Sequence, residues 1–162
     1  MLSRCFTVCV LAGWLGTPIF AEGDLSADQL KMLTDPGGWQ YIKISDSDNG
    51  IQTDHPCFDG RPHPNECSGT LTLTSSNTFI QSVRIHGQTV QRHGTYQLDG
   101  NQLTLFDELE TRDGPYNVTV DVQAKSMVMQ MNPAGGSVRS EFQLEREYRK
   151  QMRAREKPSN DG

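Results

Sequence analysis

Between Gly69 and Glu145 the chain is a succession of short apolar-polar alternations separated by turn residues. Each neighbouring pair, folded about its turn, agrees on which side chains point inward. Folding Thr95 to Leu105 about Asp99-Gly100 sets Tyr96 opposite Leu103 and leaves Thr95, Gln97, Gln102 and Thr104 on the other face. Folding Tyr116 to Met131 about Ala124-Lys125 sets Val118, Val120 and Val122 against Met131, Met129 and Met127. Folding Phe79 to Leu98 about Gly87-Gln88 sets Val83 and Ile85 against Arg92 and Val90. With a first strand at Trp39 to Ile44, strands are expected at 69–74, 79–86, 89–98, 101–106, 116–123, 126–131 and 137–145. An open meander would leave two unpaired edges, and closure removes them. The expected fold is all-β, an eight-stranded up-and-down antiparallel barrel.

The ends bound where such a barrel works. Met1-Leu2-Ser3-Arg4, the apolar stretch Cys5 to Phe20, and Ala21 before Glu22-Gly23-Asp24 have the layout of a secretory signal peptide, residues 1–21. The stretch falls short of the roughly 18 apolar residues of a membrane span and is interrupted by Gly13, Gly16 and Pro18. An exported product, periplasmic or secreted, with no integral membrane segment in the mature chain is therefore expected. Cleavage would remove Arg4 and no acid, so 15 basic against 20 acidic residues becomes 14 against 20. That acidic balance excludes the usual electrostatics of a nucleic-acid binder. Cys5 and Cys9 leave with the signal, and the remaining pair, Cys57 and Cys67, is expected to form a disulfide in an oxidising compartment.

Residues 22–35 form an N-terminal segment in which Ser26, with Gln29 three residues on, caps a short helix ending near Leu33 and stopped by Asp35-Pro36-Gly37-Gly38. Ser45 to Ser68, rich in Asp, Asn, Gly, Pro and His, is expected to be one long loop. It shares an end of the barrel with Gly87-Gln88, Asp107 to Pro115, and Asn132 to Gly136, so this end is the expected mouth and the disulfide loop its lid. Residues 149–162 read as a charged flexible tail, although Glu145 to Lys157 also has the i, i+4 charge pairs of a solvated helix.

Gly37-Gly38-Trp39 at the first strand, the long first loop and the eight-stranded order resemble the lipocalin-like branch of the calycins over Pro36 to Tyr148, so 36–148 is taken as the barrel domain. The chain lacks that family's second motif near the sixth and seventh strands; Arg146 stands where the family has a basic residue over the tryptophan. The resemblance implies a cavity for a small apolar or amphipathic molecule. Exported calycins also include inhibitors of secreted hydrolases, which implies the alternative of a protein partner met through the N-terminal segment or rim loops.

The candidate ligand site consists of residues assigned to the inward face: Arg92, Tyr96, Gln81, Val90, Met129, Met131 and Ser140. A charge inside a barrel needs a partner or a ligand. Arg92 would either hold a carboxylate or pair with a loop acid such as Glu108. His55, Cys57, His63 and Cys67 are chemically adequate for zinc, but the disulfide is the preferred reading and no metal or other cofactor is expected. Asp107, Glu108, Glu110 and Asp113 read as a solvated acidic turn. No nucleophile elbow, His-Glu-x-x-His or phosphate-cradling glycine loop occurs, so a non-enzymatic binding protein is expected.

Overall fold

The structure, a computed structural model, describes residues 23–58, 62–63 and 66–156; the expected signal peptide and residues 157–162 lie outside the described residues. Among the described residues nine strands make one sheet: β1 (Trp39–Asp48), β2 (Ile51–Pro56), β3 (Cys67–Leu73), β4 (Thr78–Ile85), β5 (Gln88–Asp99), β6 (Gln102–Asp107), β7 (Arg112–Asp121), β8 (Ser126–Met131) and β9 (Gly136–Leu144). Eight of them follow one another in space as β1–β3–β4–β5–β6–β7–β8–β9, and β9 returns to pair with β1, closing the expected antiparallel barrel.

The ninth strand corrects the expectation of a structureless Ser45–Ser68 loop. β1 meets β3 only at Trp39 and Gln40; from Lys43 onward β2 takes β3's place beside it. The hairpin turns at Asn49 and Gly50, with φ of 50° and 81°, the backbone a two-residue type I′ turn demands. Its strands are polar because they stand largely above the packed interior, with residues 51–54 all exposed. The connection Asp107–Pro115 is shorter than expected, because β7 already starts at Arg112.

The three expected hairpin registers are each displaced by two residues. Tyr96 pairs with Leu105, and Leu98 with Leu103. Val118 pairs with Met129 and Val120 with Met127, while Val83 pairs with Val90 and Gln81 with Arg92. The turns are the cause. His86 and Gly87, with φ of 49° and 80°, replace Gly87-Gln88, and Gly100, with φ of 60°, takes the first central position of its turn. Between β7 and β8 a longer turn is held by the Asp121 carboxylate, which accepts from the amides of Gln123 and Ala124 at 2.9 and 2.8 Å. Because side chains alternate with period two, a two-residue displacement leaves every face unchanged. Val122 leaves the inward set because it lies in the turn, 37 % exposed.

One end of the barrel is closed by the short helix α1 (Ala27–Leu33). Ser26 and Gln29 form the expected capping box, and the Gln29 amide also donates to Val120 O at 2.8 Å, fastening the helix to β7. Leu33 is fully buried, and its carbonyl accepts from Trp39 Nε1 at 3.0 Å. Gly38 makes this closure possible. Its φ is 71°, and a Cβ there would lie 2.5 Å from Thr72 Oγ1. Above the helix, Trp39, Leu71, Leu73, Phe79, Leu103 and Phe142 belong to one continuous core.

α2 (Glu145–Glu156) leaves β9 and runs through the start of the segment expected to be a flexible tail. Arg149 pairs with Glu145 at 2.7 Å, and the Tyr148 ring meets Phe58 edge-on at 5.0 Å. Arg155 lies over the same Phe58 ring, 5.6 Å from its centre. Among the described residues no helix is long and apolar enough to cross a membrane.

Candidate functional site

Two local irregularities decide which polar groups enter the barrel. β7 carries one extra residue against β6, so that Leu103 faces Tyr116 and Leu105 faces Asp113. Strict alternation from Val118 and Val120 keeps Tyr116 inside but would turn Asp113 outward; the irregularity brings Asp113 in beside Tyr116. β1 likewise slips between Tyr41 and Lys43 against β9, which puts Tyr41, Ile44 and Asp46 on one face although their numbers are not in step.

The result is a connected polar group at the upper edge of the core. Gln81 Nε2 donates to Tyr41 Oη at 2.6 Å, and Gln81 Oε1 accepts from Arg92 Nε at 2.9 Å and Nη2 at 2.6 Å. Arg92 Nη2 also donates to Asp113 Oδ2, and Tyr116 Oη donates to Asp113 Oδ1. Burial pushes the Tyr41 phenol up to about 12, against the opposing pull of its Gln81 bond and of Arg92. Burial, with the Asp113 carboxylate beside it, also pushes Tyr116 well above the ordinary phenol value. Both phenols thus stay protonated donors or acceptors across the physiological range, and every formal charge in the group has a partner.

Of the expected site residues, Gln81 and Arg92 come together here. Arg92 is paired with Asp113, not with Glu108, which instead meets His93. Tyr96 is buried nearer the closed end, where its hydroxyl donates to Thr74 O at 2.7 Å. Met129 is buried opposite Ser140, whereas Met131, paired with Val138, and Ser140 are half-buried nearer the open end. Val90 is 50 % exposed and borders, with Val83, Ile85, His86 and Gln88, a hollow of about 360 Å³ at the open end.

A second polar cluster sits on the hairpin wall above. His55 Nε2 lies 3.1 Å from Asp46 Oδ1, and the His55 ring meets His86 edge-on at 4.8 Å. Cys57 and Cys67 form the expected disulfide, so their sulfurs are not thiolate ligands. The described part of that loop is not a lid. The amides of Cys57 and Phe58 donate to Ile42 O at 2.8 and 3.0 Å, and Phe58 packs against α2 on the barrel's side. Arg146, expected beside the tryptophan, is exposed and pairs with Asp35 at 3.5 Å.

Asp113, Tyr116, Tyr41, Asp46 and His86 are the members of these clusters that sequence reasoning missed. For Asp113 and Asp46 the obstacle was parity, which an irregular strand inverts; Tyr41 and Tyr116 are in step with Trp39 and Val118 and lacked only a visible polar partner. The signal for the β1–β2 hairpin was present in Asn49-Gly50.

The chain matches no protein-family model, and no curated protein sequence is significantly similar to it. The eight-stranded antiparallel barrel with a short helix across one end has the shape of the calycin fold.

Proposed function

We propose that the protein is an exported, non-enzymatic binding protein that engages a partner protein through the rim of its open end. The observation that carries this reading is a contrast between inside and rim. Leu71, Leu73, Phe79, Leu103, Leu105, Val118, Met127 and Met129 are 0–3 % exposed, so the middle of the barrel is filled by its own side chains and offers no tunnel for a lipid chain. At the open end, by comparison, large apolar side chains stand out on three separate hairpins: Ile51 is 74 % exposed, Val90 50 % and Leu109 86 %. Apolar residues at hairpin tips cost solubility and are typical of contact surfaces. The N-terminal segment is less suited to recognition, since α1 is tied down through Leu33 and Gln29.

A second reading, a small amphipathic molecule at the mouth, is favoured by the hollow beside Val83, Ile85 and Val90. Native mass spectrometry of protein purified from its own host separates the two. A bound protein that is lost in Ile51→Glu and Leu109→Glu, with circular dichroism unchanged, is the expected outcome. A retained small molecule without any protein partner would overturn the rim reading in favour of the second.

A further inference from the structure

The barrel's stagger leaves one strand half unpaired. β5 pairs with β4 along Gln88–Thr95 but meets β6 only from Gly94 onward. Among the described residues, Gln88 to His93 have no strand on their second side. The direction of their main-chain groups follows from alternation. Tyr96 N donates to Asn77 O on the β4 side, so the even-numbered residues turn toward β4. Thr89, Gln91 and His93 turn the other way, each presenting an N–H and C=O that no strand among the described residues receives, along an edge of about 20 Å.

Three further features surround this edge. On its inner face lies the apolar hollow of Val83, Ile85 and Val90. On its outer face Arg84 is paired to Thr89 in register, is exposed, and makes no ion pair among the described residues. In a chain with 20 acidic residues, none occurs from Cys67 to Leu98, a stretch that carries Arg84, His86, Arg92 and His93. Asp107 and Glu108 border the lower half of the edge, sharing with Gln91, Arg92 and His93 a smaller notch of about 180 Å³, and leave the upper half, Gln88 to Val90, to the Arg84 side. The β2 edge differs: it includes Asp54, which faces Lys43, and has Asp46 and Asp48 on the neighbouring strand.

We infer that an extended acidic segment of another protein adds as a strand to the Gln88–His93 edge of β5, with apolar side chains in the Val83–Ile85–Val90 hollow and carboxylates on the Arg84 face. The inference rests on the rim reading above and gives that rim its partner chemistry. Main-chain bonds to Thr89, Gln91 and His93 supply affinity, and the alternation of side chains supplies selectivity.

The test uses a fluorescein-labelled hexapeptide alternating valine with glutamate, followed by anisotropy against the full mature protein. Saturable binding is expected, weakened about tenfold or more when alternate peptide amides are N-methylated, when glutamate is replaced by lysine, or in Gln91→Pro. Arg84→Glu should weaken the acidic probe and strengthen the lysine one. Because the N-methylated and lysine peptides leave the protein untouched, the outcome does not depend on Gln91→Pro folding. Equal binding of plain and N-methylated peptides, equal binding of acidic and basic peptides, or no saturable binding overturns the inference. Sedimentation showing a homodimer that Gln91→Pro dissociates overturns it in favour of a second copy. A host partner lost in Ile51→Glu while the peptide fails to bind would leave the rim reading standing and remove only the β5 edge.

Discussion

Arg92 and Asp113 approach one another from the two strands that flank β6, and the guanidinium that meets the Asp113 carboxylate also donates to Gln81 Oε1 from two of its nitrogens. The pair is largely shielded, with side-chain exposures of 28 % and 20 %. Removing one partner therefore strands the other. Arg92→Met should cost about 2–3 kcal/mol and Asp113→Asn somewhat less, since the amide still reaches Tyr116. The double variant should cost less than the sum, with a coupling of about 1 kcal/mol or more, measured by urea unfolding. Additive losses would mean that the two side chains do not act as a pair.

The inward faces have a direct test at adjacent positions of β7. Val120 is 3 % exposed and Thr119 points outward. Val120→Asp buries a carboxylate among apolar neighbours and should cost about 3–5 kcal/mol or abolish folding. Thr119→Asp should cost about 1 kcal/mol or less. Thermal unfolding of both variants measures the contrast, and equal losses would show the faces to be reversed.

These faces were legible in the sequence even though the registers were not. Face depends on parity, and an error of two residues in a turn conserves parity, so Tyr96, Leu103, Val118 and Met129 were placed inward while each partner was misassigned. The polar group was illegible for the complementary reason. Asp113 sits three residues before Tyr116, a spacing that alternation sends to opposite faces, and only the extra residue in β7 reconciles them. The β1–β2 hairpin is signalled by Asn49-Gly50, but its strands, Ser45–Asp48 and Ile51–Pro56, carry almost no apolar alternation to mark them as strands. Arg92 is inward by parity alone, whereas its partner depends on the irregularity that brings Asp113 inside.

Alkaline pH should weaken the fold through the buried phenols. Tyr41 titrates near 10 when unfolded and about 12 when folded, so between these values the unfolded chain has lost a proton that the native state keeps. Stability then falls as pH rises, by about 1.4 kcal/mol per pH unit for each such tyrosine. Tyr116 is shifted in the same direction and adds to the slope. Urea unfolding at stepped pH from 9.5 to 11.5, roughly the window the shifts define, should show a steep loss that becomes shallower by about one proton in Tyr41→Phe. An unchanged slope in that variant would mean that Tyr41 is not the buried phenol responsible.

The closed end predicts a position intolerant of even one methyl group. Gly38 has a φ of 71°, and an added Cβ would meet Thr72 Oγ1 at 2.5 Å and Leu71 O at 3.1 Å, with Trp39 fully buried next in sequence. Gly38→Ala should cost about 2–4 kcal/mol by thermal unfolding. Gly50→Ala provides the contrast, because no atom lies within 4 Å of its added Cβ and only the backbone conformation opposes it. Its loss should be nearer 1 kcal/mol. Equal losses would place the whole effect in backbone conformation and none in the close approach of β3.

The last prediction separates a lumen from a rim. A carrier of amphipathic acids would need an apolar tunnel and a cation free to meet the headgroup. Here the apolar side chains in the middle of the barrel, Leu71, Phe79, Leu103, Leu105, Val118, Met127 and Met129 among them, are 0–3 % exposed, and Arg92 already donates to Gln81 and Asp113. A fluorescent long-chain fatty acid and its matched alcohol should therefore show no saturable binding to the mature protein within their solubility, and Arg92→Met should not create any. The energetic argument is that a ligand carboxylate entering Arg92's place must first displace Asp113, leaving that carboxylate buried without its cation. Saturable binding of the acid in preference to the alcohol, with the preference lost in Arg92→Met, would show that this exchange does occur. The interior would then be the recognition site, and the exposed Ile51, Val90 and Leu109 would need another explanation.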